Sequence, residues 1–394
     1  MRRTLHTSVV TVIVWALVLS LSGISYFVQR YRSCETSIRG IVAKSVSDVP
    51  ENFYRPSRQA LTRLDRLYYG CQSECVKGYR LRYNQTKSRY DYSRKANISV
   101  CSVPKAGSTL FTLVLLALEV PEGTDIETIF QMKRSLVHAQ SGRYLRKAYR
   151  QSVPARNVLV TRDPYRRLFS AYVDKQMLRL PTHDVNSSKL ICGNYVTFDR
   201  FLSHILSKGF RGGYLDRHVA PIALLCEPCD TRYEFVAKQE TLTEDITFLL
   251  ENVTVVPKRT RELILRVLHG EVNARTLIGV IDTLVQRALD TCSNILDYIS
   301  SLWTVFKIQG IIRYDIVFPR EYLEQLPTVD VSVVTSVVKQ AIAFHPLTIE
   351  DRNKQRRHAL VTAYAGVSSH TIRGIQDMYF KDFVLFDYDI QPPL

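Results

Sequence analysis

Twice along this chain a short apolar run leads through a polar loop into an apolar, helix-forming stretch, and that repetition limits the fold more than any other feature. The first instance is "ISVCSVP" from Ile98, a loop from Lys105, and "TLFTLVLLALE" ended by Pro121. The second is "NVLVT", Asn157 to Thr161, followed by "RDPYRRLFSAYVDKQM", with Asp163 placed as N-cap and Pro164 as first helical residue. Later, "YEFVAKQETLTEDITFLLENV" repeats the order as a strand and an amphipathic helix capped by Thr241 or Thr243. Strand, loop and helix in succession predict an α/β domain, a P-loop-like parallel sheet flanked by helices. Residues 255–370 read as a mostly helical extra region without an assignable motif.

The two loops carry the chemistry. A glycine-containing loop between a strand and a helix N-terminus is an anion site, because free backbone N–H groups and the positive helix end face the ligand. Here Gly107 permits close approach, Ala106 adds its amide, Ser108 and Thr109 offer hydroxyls, and Lys105 supplies a full charge. The lysine precedes the glycine, the reverse of G-x-x-x-x-G-K-[ST], so an ordinary ATPase loop is excluded. In the second loop Arg162 ends a strand, while Arg166 and Ser170, four apart, share one helix face. A plain turn accounts for the first loop, and an Arg162–Asp163 cap with solvated arginines for the second. Together, at the carboxyl ends of strands in one sheet, they fit a nucleotide with phosphate at two separate places. No acidic strand end of the kind that holds Mg²⁺ stands out, so no metal is assigned and a nucleotide kinase is disfavoured.

Compartment follows from the N-terminal third. Ser8 to Val28 contain no charge and match the ~20 apolar residues that span a bilayer. Residues 1–7 then form a short cytosolic tail and 8–28 a transmembrane signal anchor, with a cleaved signal peptide as the alternative. Asn84, Asn97, Asn186 and Asn252 begin N-x-[ST] sequons, and all eight cysteines follow the span. Both point to a type II chain whose remainder is luminal. Residues 29–95, rich in Arg, Tyr and Ser, read as a stem and irregular region ahead of a catalytic domain over 96–394. A net charge of +16 favours an anionic partner. In a lumen that partner is an acidic glycan and not nucleic acid. Cys226 and Cys229 form a C-x-x-C pair open to disulfide, redox or, with Cys71 and Cys75, zinc roles, of which the lumen favours disulfides. Cys34, nearest the membrane, is a candidate for pairing two chains in a covalent homodimer.

"VPKAGST" and "VTRDPYRRLFSAYVDK" resemble the two signature segments of Golgi carbohydrate sulfotransferases. "HVAPIALLCEPCDTRYEFVAKQETLTED" and "MYFKDFVLFDYD" are similar to the branch that sulfates position 4 of N-acetylgalactosamine in chondroitin or dermatan. Two departures leave the acceptor and the position open. Ala106 to Leu110 are closer to uronosyl 2-O-sulfotransferases, and Val219 stands where a tryptophan often follows the histidine.

The resemblance implies a sulfotransferase fold and 3′-phosphoadenosine 5′-phosphosulfate as donor. Lys105 to Thr109 would hold its 5′-phosphosulfate. Arg162 and Ser170 would hold the 3′-phosphate, with Arg166 or Arg167 lending charge. It also implies Golgi residence, a glycan acceptor, and a histidine base at His138, with His218 as runner-up. The alternative from another class is a luminal glycan-binding protein on an inactive scaffold of the same fold.

Overall fold

The computed structural model describes residues 29–44, 55–79, 89–121, 123–132, 134–148, 155–178, 192–253, 256–269 and 273–394. The expected tail and span over residues 1–28, and the sequons at Asn84 and Asn186, lie outside the described residues. No helix among the described residues is long and apolar enough to cross a membrane.

The sheet has five strands: β1 (Tyr90–Ser93), β2 (Ile98–Cys101), β3 (Arg146–Ala148), β4 (Arg156–Thr161) and β5 (Phe235–Lys238), in the order β3-β1-β2-β4-β5. The expected parallel sheet is therefore half right. β2, β4 and β5 run parallel, with Val100 beside Val158 and Thr161 beside Lys238. β1 is antiparallel to both β2 and β3, so the sheet is mixed. The reason is the length of the β1–β2 connection. Residues 94–97 are too few for a crossover, and Asn97, at φ 51°, takes the left-handed conformation that closes a tight hairpin. Asn97 is exposed there, as is Asn252, so both described sequon asparagines face solvent.

Parallel pairing of β2, β4 and β5 brings their carboxyl ends to one edge, which positions the site. After β2 comes α3 (Ser108–Glu119), apolar on nearly every side and buried from Phe111 to Leu118, as a helix enclosed by other elements must be. After β4 comes α5 (Pro164–Tyr172). The Asp163 carboxylate accepts from the Arg166 amide at 2.8 Å, so the expected cap and the proline at the helix start are both present. The helix runs on into a π turn, Val173–Met177. After β5 comes α7 (Leu242–Phe248), whose Thr241 N-cap makes no side-chain cap bond.

The segment expected to be an irregular stem carries two helices, α1 over 29–44 and α2 (Arg55–Gln72). They belong to the main core through Ile38, Val42 and Leu67. α2 is tied to β5 and α7 by the Arg63 guanidinium, which donates to Asp245 at 2.8 Å, Thr241 at 3.0 Å and the Val236 carbonyl at 3.2 Å. All eight cysteines are in disulfides. Cys226 bonds Cys101 and Cys229 bonds Cys71, so the C-x-x-C pair is neither a redox couple nor a zinc half-site. Cys34 is bonded to Cys75 of the same chain, which corrects its reading as an interchain link.

Residues 256–269 and 273–365 are largely helical. Their second apolar core joins α9 (Asn273–Thr291), α10 (Ile295–Ile308) and α11 (Val331–Phe344) through Ile281, Val285, Trp303, Phe306 and Val338. The Cys192–Cys292 disulfide and the Tyr298 hydroxyl, donating to the Leu178 carbonyl at 3.2 Å, fasten this layer beside α5. The C-terminal helix α14 (Phe380–Phe386) is buried and returns to the sheet, where the Tyr388 hydroxyl lies 3.1 Å from that of Thr161.

Candidate functional site

The loops after β2 and β4 touch. One Arg162 guanidinium nitrogen donates to the Lys105 carbonyl at 2.6 Å. Lys105 has φ 69° and Gly107 φ 88°. Two left-handed residues so close together turn the chain sharply enough to aim the start of α3 back at the sheet edge. A methyl group on Gly107 would meet the end of the Leu242 side chain at 2.5 Å, so that leucine would have to shift, while the backbone conformation itself favours glycine. The first turn closes with the Phe111 amide on the Gly107 carbonyl. The Ala106 amide, expected to face a ligand, donates instead to the Val103 carbonyl at 3.3 Å, so the amides at the helix start itself are the ones a ligand would meet.

Arg162 is half-buried, and desolvation pushes its guanidinium down to about 10, still charged at neutral pH. Its Nε is buried without a hydrogen-bond partner among the described residues. A buried cationic donor left open beside a helix start is what an anionic ligand would satisfy. The same burial pushes the Asp163 carboxyl up to about 6.

Arg167, expected as an alternative source of charge, does something else. It is fully buried and donates to the carbonyls of Pro104 at 3.1 Å, Ala220 at 2.5 Å and Arg217 at 2.8 Å. It thereby joins the lysine loop to the segment that carries His218. Arg166 is exposed on α5, and Ser170 is half-buried four residues on.

Lys105 Nζ lies 2.5 Å from Asp174 Oδ2, in the π turn beyond Ser170. Asp174 lines a cleft of about 590 Å³ that also takes in His218 and Asp216. His218 Nδ1 is 2.6 Å from Asp216 Oδ1, and that contact holds the Asp216 carboxyl down at about 2. The carboxylate is therefore charged at neutral pH and accepts from Nδ1–H, which leaves Nε2 as the basic nitrogen. Of the two histidines named from the sequence, His218 is at the lysine's cleft. His138 lies in α4 (Arg134–Tyr144), with its side chain outside the described residues.

Residues 88–276 match the model of the Sulfotransferase family. This segment belongs to that family. Within it lie the lysine loop, the Arg162 loop and the His218 segment. Over 190 residues the chain is 28% identical to carbohydrate sulfotransferase 9 of Homo sapiens, covering 43% of this chain and 41% of that one. Over 184 residues it is 26% identical to carbohydrate sulfotransferase 11 of Danio rerio, covering 39% and 49%. The chain spans less than half the length of the curated relatives it matches. No solved structure matches it.

The sequence did not point to Asp174, to Asp216 or to the triple contact of Arg167. Asp174 had a usable signal: it follows Ser170 by four residues, on the same helix face. Asp216, two before His218, had only proximity to suggest it. Arg167's inward direction depends on which face of α5 the sheet covers.

Proposed function

We propose that the protein is a Golgi carbohydrate sulfotransferase. It moves a sulfuryl group from 3′-phosphoadenosine 5′-phosphosulfate to a hydroxyl of a glycan, of the N-acetylgalactosamine-bearing chondroitin or dermatan type. A type II anchor over 8–28 would hold the remainder in the lumen, with the sequon asparagines as glycan carriers. One observation carries the reading: Lys105 touches the donor-side Arg162 and, through Asp174, reaches the cleft that holds His218.

The residues fit the donor. The α3 start and Gly107 would cradle its 5′-phosphate, and Arg162, with its open Nε, and Ser170 would hold the 3′-phosphate. When bound, the donor supplies an activated sulfur whose bond to the bridging phosphate oxygen breaks as a bond to the acceptor oxygen forms. Lys105 neutralises the charge that collects on that bridging oxygen. His218 takes the hydroxyl proton at Nε2, and Asp216 steadies the imidazolium that results.

Two tests follow. Saturating 3′-phosphoadenosine 5′-phosphate at 100 times its Kd should stabilise the protein by about 2.7 kcal/mol, read as a rise in Tm. Arg162→Ala should weaken that nucleotide about 10- to 100-fold, the worth of a hydrogen-bonded buried charge. An unchanged affinity would remove Arg162 from the donor site.

Asp216→Asn should lower kcat about 10²-fold, within the usual range for disturbing a general base. His218→Ala should cost at least as much, and adding Asp216→Asn to it should cost little more, because the pair acts as a unit. Fully additive losses in the double variant would make Asp216 a structural residue alone. Donor-dependent labelling of desulfated glycans also separates transfer from the binding-protein alternative, which needs no nucleotide.

A further inference from the structure

The helical layer over residues 273–365 does not only brace the domain. Its α9 sends Leu284 and Arg287 into the wall of the cleft that holds Asp174 and His218. Opposite stands α6 (Phe198–Phe210), which contributes His204 and Lys208. Lys175 contributes from the π turn. The cleft thus joins the Asp174 and His218 segments, where the sulfuryl group would be transferred, to a part built from two separate helices.

The charges divide the same way. Both carboxylates that line the cleft are engaged. Asp174 faces Lys105 at 2.5 Å and Lys175 at 3.4 Å, and Asp216 faces His218 at 2.6 Å. Lys208 and Arg287 are exposed. No ion pair is formed by either among the described residues. Arg287 is held in place by construction: its helix ends at the Cys192–Cys292 bond and packs on α11 through Ile281 and Val285.

We infer that Lys208 and Arg287 form an anion subsite. It reads a fixed negative charge, carboxylate or sulfate ester, on the sugar next to the one being sulfated. This rests on the transferase reading above and deepens it. Two cations on independent helices facing one cleft fix the position of a charge along an acceptor chain, which a diffuse basic surface does not. The helical layer thereby becomes the part that selects the acceptor.

The test uses the full chain and two probes that differ in charge alone: desulfated chondroitin and its carboxyl-reduced form. The wild type should show a kcat/KM ratio of about 10 or more in favour of the carboxylated chain, about 1.4 kcal/mol. The Lys208→Glu/Arg287→Glu variant should bring that ratio to 1 or below, and its preference should no longer weaken with added salt. A rise in Tm with 3′-phosphoadenosine 5′-phosphate, equal to that of the wild type, certifies that the variant folds. A ratio unchanged by the double substitution overturns the subsite. If the wild type labels neither probe, the transferase reading fails and direct titration of the nucleotide-bound protein decides the subsite. Tighter binding of the carboxylated chain, lost in the variant, sustains it, and equal binding of both chains by the wild type overturns it.

Discussion

Lys105→Ala is expected to lower kcat by about 10²- to 10³-fold, the usual cost of removing one preorganised donor from developing negative charge. The amine belongs to the transition state more than to either ground state, because the bridging oxygen gains its charge only as sulfur departs. Affinity for 3′-phosphoadenosine 5′-phosphate should therefore change much less than turnover. Alanine keeps a β-carbon at a residue with φ 69°, so the backbone strain is as in the wild type. Lys105→Gly relieves that strain and should stabilise the loop by a few tenths of a kcal/mol or more. Both variants should be equally slow if the amine is what matters. A glycine variant with wild-type turnover would sink the assignment and make the strained backbone responsible.

Arg167→Leu is expected to destabilise the protein by about 3–5 kcal/mol, measured as a lowered urea midpoint at unchanged slope. Leucine fills most of the volume but leaves the carbonyls of Pro104, Arg217 and Ala220 buried without their donor. Burial already pushes this guanidinium down from its ordinary range, with no carboxylate in direct contact. Its value to the fold therefore lies in the three hydrogen bonds and not in an ion pair. Arg167→Lys keeps the charge and loses the fork, so it should fall between wild type and leucine. Lysine equal to wild type, or leucine within about 1 kcal/mol of it, would contradict this account. The same residue spans the lysine loop and the His218 segment, so the leucine variant that remains folded should also turn over slowly.

The contrast between Arg162 and Arg167 shows how far the sequence reaches. The pattern of strand, loop and helix located both loops, the Asp163 cap and the helix that follows Lys105, because those depend on neighbours within a few residues. The α/β class and the helical character of residues beyond 255 came from periodicity in the same way. It could not decide which way Arg167 of "RDPYRR" points. That depends on the rotation of α5 against the sheet: Arg162 lies at the strand end beside Lys105, and Arg167 points into the core.

Other decisions were also tertiary. The direction of β1 followed from a connection too short to cross over, yet a sheet in which β1 alone runs against its neighbours needs the partner strands to be known. Among the many possible cysteine pairings, chain separations of 41 to 158 residues are bridged, which no local spacing encodes. His218 meets Asp174 in one cleft though they lie far apart in sequence, and Arg287 arrives there from a layer without a motif. Short-range chemistry is written in neighbouring residues, whereas the meeting of distant ones is set by which apolar faces must be buried together. For that reason the sequence alone pointed to two candidate anion-binding loops, and the packed structure decided which distant side chains, Asp174, His218 and Arg287 among them, line one cleft.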